Sequence, residues 1–178
     1  MSVAKHYLWG NFPEKHLKLF LKANEQAWEN ASRWDNKDLQ YNIERKISDF
    51  FATSLVQTNV SLTKLGVLES RAEIDIVVHS DIDDKKSGLF LLHLSGHQTP
   101  RHEKEILEIM SVSLNSPSLC CFGVLVVCAD NQLRLEGKAN SFDYCKGPLI
   151  RLAESSLRVT PLKGLLIIGL PTPPKKKA

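Results

Sequence analysis

No window of this chain approaches the ~18 consecutive apolar residues that a membrane-spanning helix requires. The opening stretch MSVAKHYLWGNFPEKH holds no apolar signal core, so export is not expected and a cytoplasmic, intracellular protein is. Cysteine is scarce and irregular. Of the four cysteines, Cys120, Cys121 and Cys128 belong to the apolar run CCFGVLVVCA and Cys145 stands apart. With no CxxC spacing and no disulfide framework, reduced and buried thiols are expected. The loops are poor in glycine and contain neither a P-loop nor a dinucleotide fingerprint, which argues against ATP or NAD chemistry. A dominant charge is missing too. The net charge is +3, and Lys175, Lys176 and Lys177 near the C-terminus supply all of it. The remaining body is close to neutral and does not by itself announce a nucleic-acid binder.

What the chain has is a clear alternation of helical and strand-like patterns, in a length that suits one α/β domain. Residues 1–11 read as an irregular lead-in. Pro13 and Glu14 open a helix on which Leu17, Phe20, Leu21, Ala27, Trp28, Ala31 and Trp34 recur at helical spacing. Most of this stripe is expected to pack on the domain, with Trp28 and Trp34 as a surface for a protein partner or a second copy. Asp38 is placed to cap a second helix, LQYNIERKISDFFATSL, with Leu39, Ile43, Ile47 and Leu55 on one face.

Three strand-like runs follow. Residues 60–68 alternate loosely around Gly66, suggesting a strand with a bulge. In residues 72–79, Ile74, Ile76 and Val78 share one face while Glu73, Asp75 and Val77 share the other. A polar turn over residues 80–88 predicts a hairpin. GLFLLHLS is apolar on both faces, as a central strand is. A helix over residues 101–114 and the strand CFGVLVVCA complete a βαβ crossover. NQLRLEGKA reads as a further exposed strand, residues 146–157 as a helix and GLLIIGL as a last buried strand. The resulting division is a lead-in and helix over 1–38, an α/β domain over 39–170 and a Pro/Lys-rich tail over 171–178.

The order helix, three strands, helix, strand, with Glu44 on the helix and Asp75 inside AEIDIVV, resembles the restriction-endonuclease-like PD-(D/E)XK nuclease superfamily. The resemblance covers residues 39–128. It implies a central mixed β-sheet flanked by helices, with the N-terminal helix as an extension. It also implies that Glu44 and Asp75 are the metal-binding acids, that His93 stands where the E of E-x-K belongs, and that Ser95 stands where the Lys belongs. Carboxylates suit Mg²⁺, and the Lys orients an attacking water or stabilises phosphate charge. His93 and Ser95 therefore remove half of the signature, since imidazole is a poor Mg²⁺ ligand and a hydroxyl carries no positive charge.

The catalytic candidates are Glu44, Asp75, His93 and Ser95. Glu44, Asp75 and His93 are the metal candidates, for Mg²⁺ or for no cofactor at all. The expectation is a catalytically decayed nuclease-fold domain that binds DNA, RNA or a protein complex. A weak Mg²⁺-dependent phosphodiesterase using Glu44 and Asp75 is the alternative. A third reading comes from residues 119–170, whose apolar runs are similar to the roadblock or longin type of protein-binding platform. The bland reading pairs Asp75 with Lys64 or Arg71 and leaves Glu44 on a solvated face beside Arg45 and Lys46. His79, His93, His97 and His102 form a further group that zinc would accept if they converged. Ser95-Gly96-His97 lacks the first glycine of a nucleophile elbow and is set aside.

Overall fold

A computed structural model describes residues 5–30, 36–50, 55–68, 70–83, 86–95, 102–116, 120–128 and 148–170. Its centre is a six-stranded sheet in the order β1-β6-β5-β4-β3-β2. The strands are β1 (Lys5–Gly10), β2 (Val56–Ser61), β3 (Glu73–Asp83), β4 (Lys86–Ser95), β5 (Cys120–Cys128) and β6 (Gly164–Leu170). The helices are α1 (Glu14–Asn30), α2 (Asn36–Phe50), α3 (His102–Asn115) and, written here as α4, Pro148–Val159. β4, β5 and β6 run parallel, while β2, β3 and β4 form an antiparallel meander and β1 pairs antiparallel with β6. The expected α/β architecture with a mixed sheet is present.

Alternation along β4 assigns the layers. Phe90, Leu92 and Leu94 join Phe20 and Ala23 of α1 and Ile43 and Ile47 of α2 in one core cluster. Leu89 and Leu91 join Ile106, Ile109, Met110 and Val112 of α3 and Ala153 of α4 in the other. A strand apolar on both faces thus has a helix pair on each side, the condition for a buried parallel sheet. α3 lies close to the sheet because β5 offers Gly123 beneath it. A Cβ there would come within 2.9 Å of the Ile109 side chain and 2.8 Å of Leu165. No described helix is long and apolar enough to cross a membrane.

Several boundaries differ from expectation for local reasons. Residues 5–10 are not a lead-in but an edge strand, and α1 buries Phe20 and Ala23 completely, so the N-terminal segment is part of the sheet domain. The strand expected over 60–68 ends at Ser61. A 3₁₀ turn (Leu62–Leu65) follows, and Gly66 closes it with φ 94° instead of forming a bulge. The Ser61 hydroxyl accepts the Lys64 N–H at 3.3 Å and caps that turn. α2 starts before Asp38 and ends at Phe50, so Leu55 lies outside it. The β3–β4 hairpin is longer than expected and reaches the pair Asp83↔Lys86. The expected strand NQLRLEGKA, the side chains of Trp28 and Trp34, and the tail lie outside the described residues.

Candidate functional site

The β3–β4 ladder runs in register from Ser80↔Gly88 to Ile76↔Leu92. One residue further along β3 sits Asp75, and its carboxylate takes over from the backbone. Asp75 Oδ2 accepts the Leu94 N–H at 2.7 Å, so the side chain supplies the acceptor where the two strands part. On the other flank, the pairs Thr58↔Ile76 and Val60↔Ile74 put Asn59 opposite Asp75. Asn59 has φ 51°, a left-handed conformation that asparagine tolerates better than most residues. The sheet is therefore irregular on both sides of Asp75.

The same Oδ2 lies 3.2 Å from His93 Nδ1. His93 is only 4% exposed and points from β4 toward α3. There its Nε2 lies 2.9 Å from Glu108 Oε2, a close charge contact. Lys104, one turn earlier on α3, stands 3.8 Å from the other Glu108 oxygen. The imidazole is thus held between two carboxylates. Burial, the largest single influence on its pKa, pulls it down, but the contacts with Asp75 and Glu108 and the charges of Asp75 and Glu105 outweigh burial and raise it to about 9. At neutral pH His93 is an imidazolium, with a proton on each nitrogen.

That charge has a measurable consequence. The folded-state pKa lies above the ordinary 6.5, so the stabilisation is fully present below pH 6.5 and is lost as pH rises through about 9. A pKa raised from 6.5 to about 9 corresponds to about 3 kcal/mol. Urea unfolding of the native chain is expected to show most of that loss between pH 6.5 and 9.5, and His93→Gln is expected to flatten the profile. A native profile no steeper than that of His93→Gln would refute the assignment of charge.

The candidates from the sequence separate as follows. Asp75 and His93 come together. Glu44 is half-buried on α2, whose Ile43 and Ile47 pack on the face of the sheet opposite to α3 and Glu108. Ser95 ends β4 in register with Val127, and its side chain lies outside the described residues. His79 is exposed and pairs with Leu89, four residues or roughly 13 Å along β4 from His93, so these two do not converge. His97 and the His102 side chain lie outside the described residues. Cys120 and Cys121 are free thiols, and burial with the neighbouring Cys120 charge pushes Cys121 up to about 11. Cys145 and the Cys128 side chain are outside the described residues. β5 and β6 are strands of the six-stranded sheet, and Ala153 of α4 packs against it.

Glu108 is the partner the sequence reading missed. The expected Mg²⁺ ligand set of Glu44, Asp75 and His93 is not assembled, because Glu44 lies on the other face of the sheet and the His93 ring is set between the carboxylates of Asp75 and Glu108. Among the described residues no group of three or more His, Cys, Asp or Glu side chains is disposed to hold a metal ion. His16 was missed as well. Its Nε2 lies 2.8 Å from Ser80 Oγ, and its ring stacks on Phe90 at 4.8 Å and 15°. Burial, with Lys15 nearby, lowers its pKa, so it is neutral and serves to tie α1 to β3 and β4.

The sequence matches no protein-family model and no curated protein.

Proposed function

We propose that this chain is a restriction-endonuclease-like domain without catalytic activity, serving inside the cell as a nucleic-acid-associated or protein-binding subunit. One observation carries the reading. The His93 imidazolium sits between Asp75 and Glu108, so a side chain of the protein neutralises the acids that a nuclease of this type would offer to a divalent ion. A fixed organic cation balances charge but cannot lower the pKa of a bound water as a metal does. Free Cys120 and Cys121 thiols suit a reducing compartment. Trp28 and Trp34, singled out by their spacing in the sequence, are the residues to test for a protein partner.

Cleavage of plasmid and single-stranded DNA or RNA in Mg²⁺ or Mn²⁺ is expected to stay at background. Robust metal-dependent cutting that Asp75→Ala abolishes would overturn the reading in favour of an active phosphodiesterase. His93→Glu combined with Ser95→Lys restores the missing pair, and any activity gained places the ancestral site. Binding to DNA or RNA is checked at low salt, where phosphate contacts are strongest. No binding under those conditions assigns the domain to a protein assembly, and Trp28→Ala with Trp34→Ala is then the variant for loss of the partner.

A further inference from the structure

The two edges of the sheet, β1 and β2, are built differently. β2 carries exposed polar side chains at Gln57 and Asn59, and its backbone is interrupted by the left-handed Asn59. A polar, bent edge is a common protection against strand pairing. Among the described residues of β1 the one positive-φ position is its last, Gly10 (φ 74°), so the strand is not interrupted at its centre as β2 is. It pairs with β6 without a register shift from Lys5↔Gly169 to Gly10↔Gly164. Tyr7 and Leu8 are each 40% exposed although they project on opposite faces of the strand.

The outward backbone groups of β1 follow from its last hydrogen bond. Asn11 N–H donates to the Lys163 carbonyl at 2.9 Å, one step beyond the pair Gly10↔Gly164. Bonded and non-bonded residues alternate along an antiparallel ladder. Odd-numbered residues of β1 therefore turn their backbone toward β6, while His6, Leu8 and Gly10 turn theirs away from the sheet.

We propose that this edge pairs with the same edge of a second copy of the chain, antiparallel about a two-fold axis at Leu8. The two Leu8 residues then exchange their N–H and C=O groups, and His6 of each copy faces Gly10 of the other. Tyr7 of each copy faces Trp9 of the other in the closer, non-bonded positions, where side chains interact best. Tyr7 and Trp9 already lie 6.0 Å apart within one strand, so the axis doubles an existing aromatic pair beside α4. On the opposite face Leu8 covers Leu8. No like charges are opposed, because His6 meets glycine and Lys5 falls across from Asn11. An axis at Tyr7 instead leaves Gly10 outside the ladder and sets Lys5 against Trp9. The six strands of each copy then form one continuous sheet through an isologous contact.

Sedimentation of the full chain is expected to show a dimer at high micromolar concentration that dissociates on dilution. Leu8→Lys puts two ammonium groups at the axis and is expected to give a monomer whose thermal midpoint is unchanged, since the side chain is exposed. Leu8→Cys is expected to cross-link under mild oxidation, as residues opposed across a bonded pair have Cα atoms ~5.5 Å apart, within disulfide reach. His6→Cys faces a glycine and is expected not to cross-link beyond the native chain. A chain that is monomeric at every concentration overturns the proposal. So does a dimer that survives Leu8→Lys, or equal cross-linking by the two cysteine variants.

Discussion

Asp75→Ala is expected to lower the free energy of unfolding by about 3–5 kcal/mol, the range seen when one partner of a buried ion pair is removed. Two donors lose their acceptor at once. The Leu94 N–H, bonded at 2.7 Å, has no replacement on β3, and the His93 imidazolium keeps only the Glu108 side of its environment. The Asp75 side chain is 28% exposed, so entering water places the result toward the lower end of that range. Asp75→Asn separates the two contributions. Its amide oxygen still accepts the Leu94 N–H but brings no charge to His93, so about half of the loss is expected to return. Urea unfolding at pH 7 measures both variants. If Asp75→Ala falls short of about 1 kcal/mol, Asp75 is an ordinary surface carboxylate.

The position of Asp75 was legible because an ionisable residue in AEIDIVV interrupts a run of aliphatic side chains. Its partner was only half legible. His93 follows from the pattern of GLFLLHLS, which leaves one polar residue in an otherwise apolar strand. The resemblance points to Glu44 as the third member, whereas the acid beside His93 is Glu108. The reason is physical. β4 is apolar on both faces, so its sequence does not say which helix covers which face, and either helix acid is equally eligible. A signal for Glu108 existed on its own helix. Val112, one turn beyond it, is fully buried, as are Ile106 and Ile109, so Glu108 lies on the flank of the stripe that faces the sheet. In the sequence alone nothing sets it apart from the neighbouring acids Glu103 and Glu105.

The parallel half of the sheet was easiest to anticipate. GLFLLHLS, CFGVLVVCA and GLLIIGL are continuous apolar runs, and the helix between the first two requires a crossover. β1 escaped notice because its alternation is between half-exposed aromatic, aliphatic and basic residues, not between core and solvent. An edge strand buries too little to display the usual contrast. Near Gly66 the sequence is ambiguous because a positive-φ glycine serves a bulge and a helical cap equally well. The Ser61 side chain, accepting from Lys64, decides for the cap.

The aromatic layer under α1 leads to the second large effect. Phe90 is fully buried at the centre of the sheet, with its ring centroid 5.0 Å from Phe122, 5.1 Å from Phe20, 5.6 Å from Phe12 and 4.8 Å from His16. These rings come from the chain just before α1, from α1 itself, and from β4 and β5, so Phe90 joins elements distant in sequence. Phe90→Ala is expected to cost about 3–5 kcal/mol through lost burial and the cavity left behind. Phe90→Leu fills most of that volume and is expected to cost less than half as much. A double-mutant cycle with Phe20→Ala is expected to show coupling of about 1 kcal/mol, since the rings touch and aromatic pairs interact beyond their burial. His16 offers a second readout. Its lowered pKa depends on burial against Phe90, so Phe90→Ala admits water and is expected to return the His16 titration toward 6.5, followed by its ring-proton shifts. A Phe90→Ala chain that loses less than about 1 kcal/mol and leaves the His16 titration unmoved would show that the layer is loosely packed and that α1 is held by other contacts.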